Sequence, residues 1–199
     1  MRGRTFSLLF LLSALIGAIA QEPYFPQGVL EDNAWGDSFR SQWYSKHLKA
    51  LEEPSLFQMA KGSKAESYRF VWLRTFHHPV IVRVDIKPSG GAELTTKVSS
   101  GAGGYEPGRL IENTSRPLTV GQTERFLATS QRLQFWKLPT HETPETEGCD
   151  GSHWIIEGIK DGNYHVVDRW APTKGPVHDL GLTFVFGLAQ MEIPKDQLY

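Results

Sequence analysis

Three runs of alternating side chains in the middle of the chain constrain its fold more than any other feature. Tyr68, Phe70 and Trp72 alternate with Arg69, Val71 and Leu73, and because both sides are largely apolar the run reads as a strand covered on two faces. His77-His78-Pro79 breaks it. Val80, Val82, Val84 and Ile86 then alternate with Ile81, Arg83 and Asp85, giving one buried and one wetter face. Pro88-Ser89-Gly90-Gly91 turns the chain into a third strand near Ala92 to Val98, which completes an antiparallel meander. Later, Trp154-Ile155-Ile156 and Tyr164-His165-Val166-Val167 flank Lys160-Asp161-Gly162-Asn163. Asp-Gly between two β-branched runs is the strongest short-range signal for a hairpin.

Three helices accompany these strands. Asp37 can cap one from Ser38 to about Glu52, where Phe39 with Trp43, and Tyr44 with Leu48 and Leu51, fall at helical spacing before Pro54 ends it. Lys61 to Ala65 is then a polar loop. Thr119-Val120-Gly121-Gln122 has capping-box spacing and predicts a helix from Val120 to about Gln131, with Phe126 and Leu127 on its apolar side. Phe135-Trp136 enters the core, and Pro139 to Gly148 makes a solvated loop. After Pro176, Val177, Leu180, Phe184, Leu188 and Met191 form one stripe while Leu182 and Phe186 lie opposite. A helix apolar on both sides is either sandwiched or presented to a partner, and the partner can be a second copy of the chain, making a homodimer. The reading is one α+β domain over residues 37–199: an antiparallel sheet of about five strands with three helices packed mainly on one face. Residues 21–36, with Pro23, Pro26 and Gly28, form an extended N-terminal arm.

The first twenty residues have a different character. Arg2 and Arg4 precede an uncharged run from Phe6 to Ala20, and Ala18-Ile19-Ala20 supplies small residues at −3 and −1 of a cleavage site. The run falls short of the roughly 20 residues that span a bilayer, so residues 1–20 read as a cleavable signal peptide and the product as periplasmic or secreted. No second apolar run reaches spanning length, and no membrane span is expected after cleavage. Loss of Arg2 and Arg4 from 21 basic residues leaves 19 against 22 acidic ones, a mature charge near −3 that lacks the basic footprint of a nucleic-acid binder. The only cysteine, Cys149, cannot form an internal disulfide, so packing alone must hold the fold. Cys149 in Gly148-Cys149-Asp150-Gly151 reads as a shielded thiol, with a reactive thiol or an intermolecular disulfide as alternatives.

Candidate functional residues concentrate between Asp150 and Trp170, where His153, Glu157, His165, Asp168 and Arg169 lie among Trp154, Tyr164 and Trp170. Which of them cooperate depends on the hairpin register, because a slip of one residue reverses every face. A two-residue Asp161-Gly162 turn pairs Ile159 with Tyr164 and puts His153, Glu157 and Asp168 on the face of Ile155, Val166 and Trp170. A three-residue loop pairs Ile159 with His165 and gathers His153, Glu157, His165 and Arg169 instead. Either face has the makings of acid and base chemistry, or of a sheet face whose charges merely pair across strands.

Other motifs carry less. Adjacent His77 and His78 on a strand point to opposite faces and cannot chelate one ion without a bend. Ser100-Gly101-Ala102-Gly103-Gly104 lacks the Lys-Ser or Lys-Thr of a phosphate loop and reads as a mobile loop. No Gly-x-Ser-x-Gly elbow occurs. The sequence therefore calls for no cofactor, no metal and no assigned catalytic residue. Asn113-Thr114-Ser115 is formally a glycosylation sequon.

Taken together, Tyr68 to Phe76, the loop Gly103-Gly104-Tyr105-Glu106-Pro107-Gly108, Phe135-Trp136 and the Asp150 to Trp170 segment resemble a group of exported bacterial proteins with no assigned activity. The resemblance spans roughly Tyr68 to Met191. It implies a bacterial envelope protein and carries over no activity, ligand or catalytic residue. The leading expectation is an exported binding module for a peptide, a glycan or another protein, gripping it with Trp154, Glu157, His165, Asp168, Arg169 and Trp170. The alternatives are a small hydrolase or transferase using Glu157 or Asp168 with His165 as acid and base, and a structural homodimer joined through Leu182 and Phe186 of the last helix.

Overall fold

The computed structural model describes residues 22–142, 148 and 150–199. The predicted signal peptide and Cys149 lie outside the described residues. The strands are β1 (Glu66–Arg74), β2 (Val80–Ile86), β3 (Ala92–Ser99), β4 (Leu110–Leu118), β5 (Ser152–Lys160) and β6 (Asn163–Trp170). They form a single antiparallel sheet in the order β4-β3-β2-β1-β5-β6. The helices are α1 (Ala34–Ala50), α2 (Leu56–Ala60), α3 (Val120–Arg132) and α4 (Pro176–Leu182). A π-helical stretch, Thr183–Leu188, continues α4. The fold is thus α+β as expected, with one strand and one short helix more than the sequence suggests.

The unexpected strand is β4. Its sequence, Leu-Ile-Glu-Asn-Thr-Ser-Arg-Pro-Leu, is exposed along most of its length and contains Pro117, which only an edge position tolerates. The sheet sits between two layers. Tyr68, Phe70, Trp72, Val82, Trp154, Ile156 and Val167 pack on Phe126 of α3, Phe135, Leu180 of α4 and Phe184. On the other face Val71, Leu73, Ile81, Ile155 and Val166 pack on Tyr44, Leu48 and Leu51 from the α1 end of the chain. The helix expected at Ser38 therefore covers the face opposite α3 and α4, which corrects the placement of the helices mainly on one face. With apolar contact on both sides, β1 and β5 are buried almost end to end.

Local chemistry explains the remaining boundaries. Asn33 caps α1 by accepting from Gly36 N at 2.7 Å. Asp37 holds the preceding segment instead, its carboxylate accepting from Gly28 N (2.8 Å) and Leu30 N (2.9 Å). Those bonds fix Gly28 and Leu30, and with Phe25 and Leu30 buried the extended arm expected from the sequence contributes to the core. Thr119 and Gln122 form the predicted capping box of α3. The Ser100 to Gly108 loop is packed: a Cβ at Gly103 would lie 2.5 Å from Arg74 N. Val177, Leu180, Phe184 and Leu188 are buried as a stripe; of the opposite pair, Leu182 turns back against the core and only Phe186 is exposed.

Candidate functional site

Asp161 (φ 50°) and Gly162 (φ 80°) are both left-handed, as a two-residue type I′ turn requires. Ile159 accordingly pairs with Tyr164, Gly158 with His165, Glu157 with Val166 and Ile155 with Asp168. His153, Glu157, Asp168 and Trp170 share the α1 face, and His165 and Arg169 lie on the other. Glu157 or Asp168 paired with His165 as acid and base is therefore excluded by geometry: the sheet stands between them. His165 instead packs its ring on Phe135 (5.0 Å) and Trp136 (5.9 Å), and burial lowers its pKa.

On the α1 face the polar residues resolve into two networks. Glu157 stands opposite Arg69 in the β1–β5 ladder, and Arg69 Nε donates to its Oε2 at 2.8 Å. The Tyr164 hydroxyl donates to Glu157 Oε1 at 2.9 Å. Glu53, just after α1, takes Arg69 (3.3 Å), Arg83 (2.6 Å) and Lys97 (2.9 Å). Burial alone would raise the Glu53 carboxyl, but these three cations outweigh it and lower its pKa. The side chains of Arg69, Glu53 and Glu157 are all fully buried, so this cluster is a closed ionic core.

The second network docks α1. Arg40 Nη1 (2.8 Å) and the Tyr44 hydroxyl (2.5 Å), one helical turn apart, both donate to Asp168 Oδ2. His153 Nδ1 lies 3.0 Å from Asp168 Oδ1 and 2.8 Å from the Tyr44 oxygen. Since Tyr44 spends its proton on Asp168, Nδ1 of His153 carries a proton. Burial alone would raise the Asp168 carboxyl, yet His153, Arg40 and the Tyr44 hydroxyl together hold it at about 2. Burial and Asp168 in turn push the Tyr44 hydroxyl well above its ordinary range, so it stays a donor. The His153 ring is boxed by Trp43 (5.2 Å), Tyr44 (5.4 Å) and Trp170 (4.9 Å).

These contacts reassign the residues singled out from the sequence. Asp168 and Glu157, with side chains 1% and 0% exposed, are paired with cations inside the protein. Trp154 is buried; its Nε1 donates to Ser152 Oγ (2.8 Å) and to the main-chain oxygen of Tyr199 (3.2 Å). Arg169 clamps the 139–142 segment through Pro139 O (2.9 Å), Thr140 O (3.0 Å) and Glu142 Oε1 (2.7 Å). Trp170 is half-buried over His153. With Trp154 buried and Trp170 half-buried, neither tryptophan of the hairpin is a fully exposed anchor.

Two exposed aromatic residues lie on the outward side of α1. Trp35 and Phe39 are 78% and 52% exposed, with rings stacked at 5.6 Å and 8°. Phe39 meets Trp43 at 5.9 Å. Trp35, Phe39, Gln42, Trp43 and Lys46 fall at i, i+4, i+7, i+8 and i+11, one stripe of the helix. Phe39, Gln42, Trp43, Lys46 and Gly104 line an open groove of about 470 Å³. Trp43 Nε1 donates to Gly103 O (3.1 Å) and Lys46 pairs with Glu106 (2.9 Å), so the glycine loop is fixed to the helix. A second exposed pair is formed by Tyr105 of that loop and Phe76 of the β1–β2 turn, 6.3 Å apart. The Phe39–Trp43 spacing is readable from sequence; its outward direction is not, because Tyr44 and Leu48 give α1 a second apolar stripe.

Among the described residues no cluster of three or more His, Cys, Asp or Glu could hold a metal ion, and no helix is long and apolar enough to cross a membrane. No protein-family model matches the chain, and a search of curated proteins finds no match.

Proposed function

We propose that the protein is an exported bacterial binding module whose recognition surface is the outward stripe of α1 together with the Gly103–Glu106 loop. The observation that carries this reading is the exposed, stacked pair Trp35–Phe39, tilted against the half-buried Trp43, beside a groove of about 470 Å³. Adjoining large exposed rings form an apolar patch of the kind that marks an interaction site. The rigid support beneath it, through Arg40, Tyr44 and Asp168, means that the rings are held in place before a ligand arrives, which reduces the ordering cost of binding. The Arg2 to Ala20 segment supports export. Periplasm or external medium, a bacterial source and a peptide, glycan or protein ligand belong to the same proposal.

The test uses protein labelled with 5-fluorotryptophan, whose six tryptophans are each assigned by single substitution. It is titrated with two pools: neutral oligosaccharides and random heptapeptides. The expected result is that the Trp35 and Trp43 resonances move with one pool while buried Trp72 and Trp154 stay fixed. If neither Trp35 nor Trp43 responds to either pool, the reading is wrong.

A further inference from the structure

We infer that one end of the β1–β5 ladder is a recognition site for a peptide that ends in a tyrosine: Trp72, Arg74, Ser152 and Trp154 take its carboxylate, His77 takes its phenol, and residues 195–199 of the chain occupy the site as a stand-in. Trp72 pairs with Trp154 in the register of β1 and β5, and Arg74 pairs with Ser152. Residues two apart on a strand share a face, so the four side chains form a square. It lies on the face covered by α3 and α4, apart from the α1 surface proposed above.

Three donors of that square converge on one atom. The main-chain oxygen of Tyr199 accepts from Trp72 Nε1 (2.9 Å), from Trp154 Nε1 (3.2 Å) and from the Ser152 hydroxyl, and none of the three residues is more than 2% exposed. A carbonyl oxygen has two lone pairs, so three donors on one oxygen suit the charge of a carboxylate better. Arg74 adds a cation, 3% exposed and 4.3 Å over the Trp72 ring. Among the described residues its Nη atoms meet only neutral oxygens, Gln197 O and Oε1 at 3.4 Å and His78 O at 3.2 Å, and its buried Nε has no partner. Burial lowers its pKa from 12.5 to about 10. A buried guanidinium with an unfilled N–H is costly to keep, and an anionic ligand removes that cost.

The other end of the tyrosine is read as well: the Tyr199 hydroxyl lies 2.6 Å from His77 Nδ1, with the two rings 5.6 Å apart. The occupant itself is lightly held. Pro194, Lys195, Asp196 and Leu198 are exposed, and the N–H groups of Gln197 and Leu198 bond within the segment, to Pro194 O (2.9 Å) and Lys195 O (3.3 Å). A segment with so little buried apolar contact opens at low cost. The seat belongs to two interior strands of the sheet and keeps its geometry when the tail leaves, which favours an incoming peptide of the same chemistry.

The experiment follows the 5-fluorotryptophan resonances of Trp72 and Trp154 in the full chain carrying Gln197→Gly and Tyr199→Gly, which remove the tail's side-chain contacts with Arg74 and His77. Both resonances should leave their parent positions, and acetyl-Lys-Asp-Gln-Leu-Tyr should return them saturably. The C-terminal amide of that peptide, or alanine in place of its tyrosine, should bind about tenfold more weakly or worse. In the parent protein the tethered tail, at an effective concentration in the millimolar range, excludes dilute peptides, so there the two resonances stay fixed. Resonances that do not move in the variant, that the peptide does not return, or that acid and amide return equally, overturn the inference. If the variant does not fold, hydrogen exchange in the parent protein decides. Opening of the tail should let the indole N–H of Trp72 and Trp154 exchange at least about a hundredfold faster than core amides such as that of Ile156. Exchange at the core rate makes the tail a fixed part of the fold and overturns the inference. Neither result touches the α1 reading, which is tested at Trp35 and Trp43.

Discussion

Asp168→Asn tests whether α1 is docked by charge. In the parent protein the carboxylate takes Arg40, Tyr44 and His153 at 2.8, 2.5 and 3.0 Å. An amide keeps one acceptor and turns an NH2 group toward a donor, so at least one buried donor loses its partner. Hydrogen bonds to buried charges contribute about 1.5–3 kcal/mol, and breaking a buried pair by removing one partner costs about 3–5 kcal/mol. We expect a loss of about 3 kcal/mol at pH 7, or roughly 6–12 °C in Tm at 2–4 °C per kcal/mol for a domain of this size. The pH dependence isolates the charge. Asp168 moves from 3.8 to about 2 on folding. Because the folded value is the lower one, its ionisation stabilises the protein above pH 4. That stabilisation, about 2 kcal/mol at 1.36 kcal/mol per unit, is lost as the pH falls through about 2. Urea unfolding of parent and variant from pH 6 to pH 2 should show a stability gap that is flat above pH 5 and narrows by about 2 kcal/mol below pH 4. A gap constant across that range would refute the charge-docking argument even if the variant proved unstable.

Three further outcomes follow from other parts of the structure. Glu157→Gln takes the carboxylate from Arg69 Nε and Nη2 in a fully buried site, leaves Glu53 as its remaining charged partner, and should cost about 3 kcal/mol in urea unfolding, whereas Arg69→Met with Glu157→Leu should recover a large part of that loss; equal instability of single and double variants would contradict the pairing. His47 is buried, and desolvation with nearby Lys46 lowers its pKa from 6.5 to about 4. His47 therefore stays neutral in the folded protein down to about pH 4 while the unfolded chain protonates it below pH 6.5, so stability should decline as the pH falls from 6.5 toward 4. His47→Gln should flatten that decline in a pH series of melting temperatures. Gly181→Ala brings a Cβ to 2.4 Å from the Trp154 ring and should destabilise the protein by about 1–3 kcal/mol, read as a lower Tm.

Sequence and structure agree most closely where short-range pattern decides the outcome. Val80–Ile86 is a strand over the alternating run that predicts it, and Asp161-Gly162 forms the two-residue turn. β4 is hard to see in the sequence because an edge strand exposed on both faces has no alternation to detect. α1 starts earlier than its sequence suggests because Asp37, a good capping residue, serves the 22–33 segment while Asn33 does the capping. The polar cluster of the hairpin is visible, but its meaning depends on β1. Arg69 lies 88 residues before Glu157, and only the strand order places them opposite each other. The outward stripe of α1 is hidden for a related reason: spacing shows that Phe39 and Trp43 share a stripe of the helix, and only the packing of Tyr44 and Leu48 decides which stripe is dry.

The two stripes of α1 belong to one rigid cylinder, so their relative angle is set by residue count. One residue inserted between Phe39 and Arg40 would keep Arg40, Tyr44 and Leu48 seated on the sheet. It would swing Trp35 and Phe39 by about 100° away from Trp43 and break the row of rings without touching a core contact on the C-terminal side. The register between Phe39 and Trp43 is therefore fixed by the number of residues that separates them along α1, whatever side chains stand at those positions.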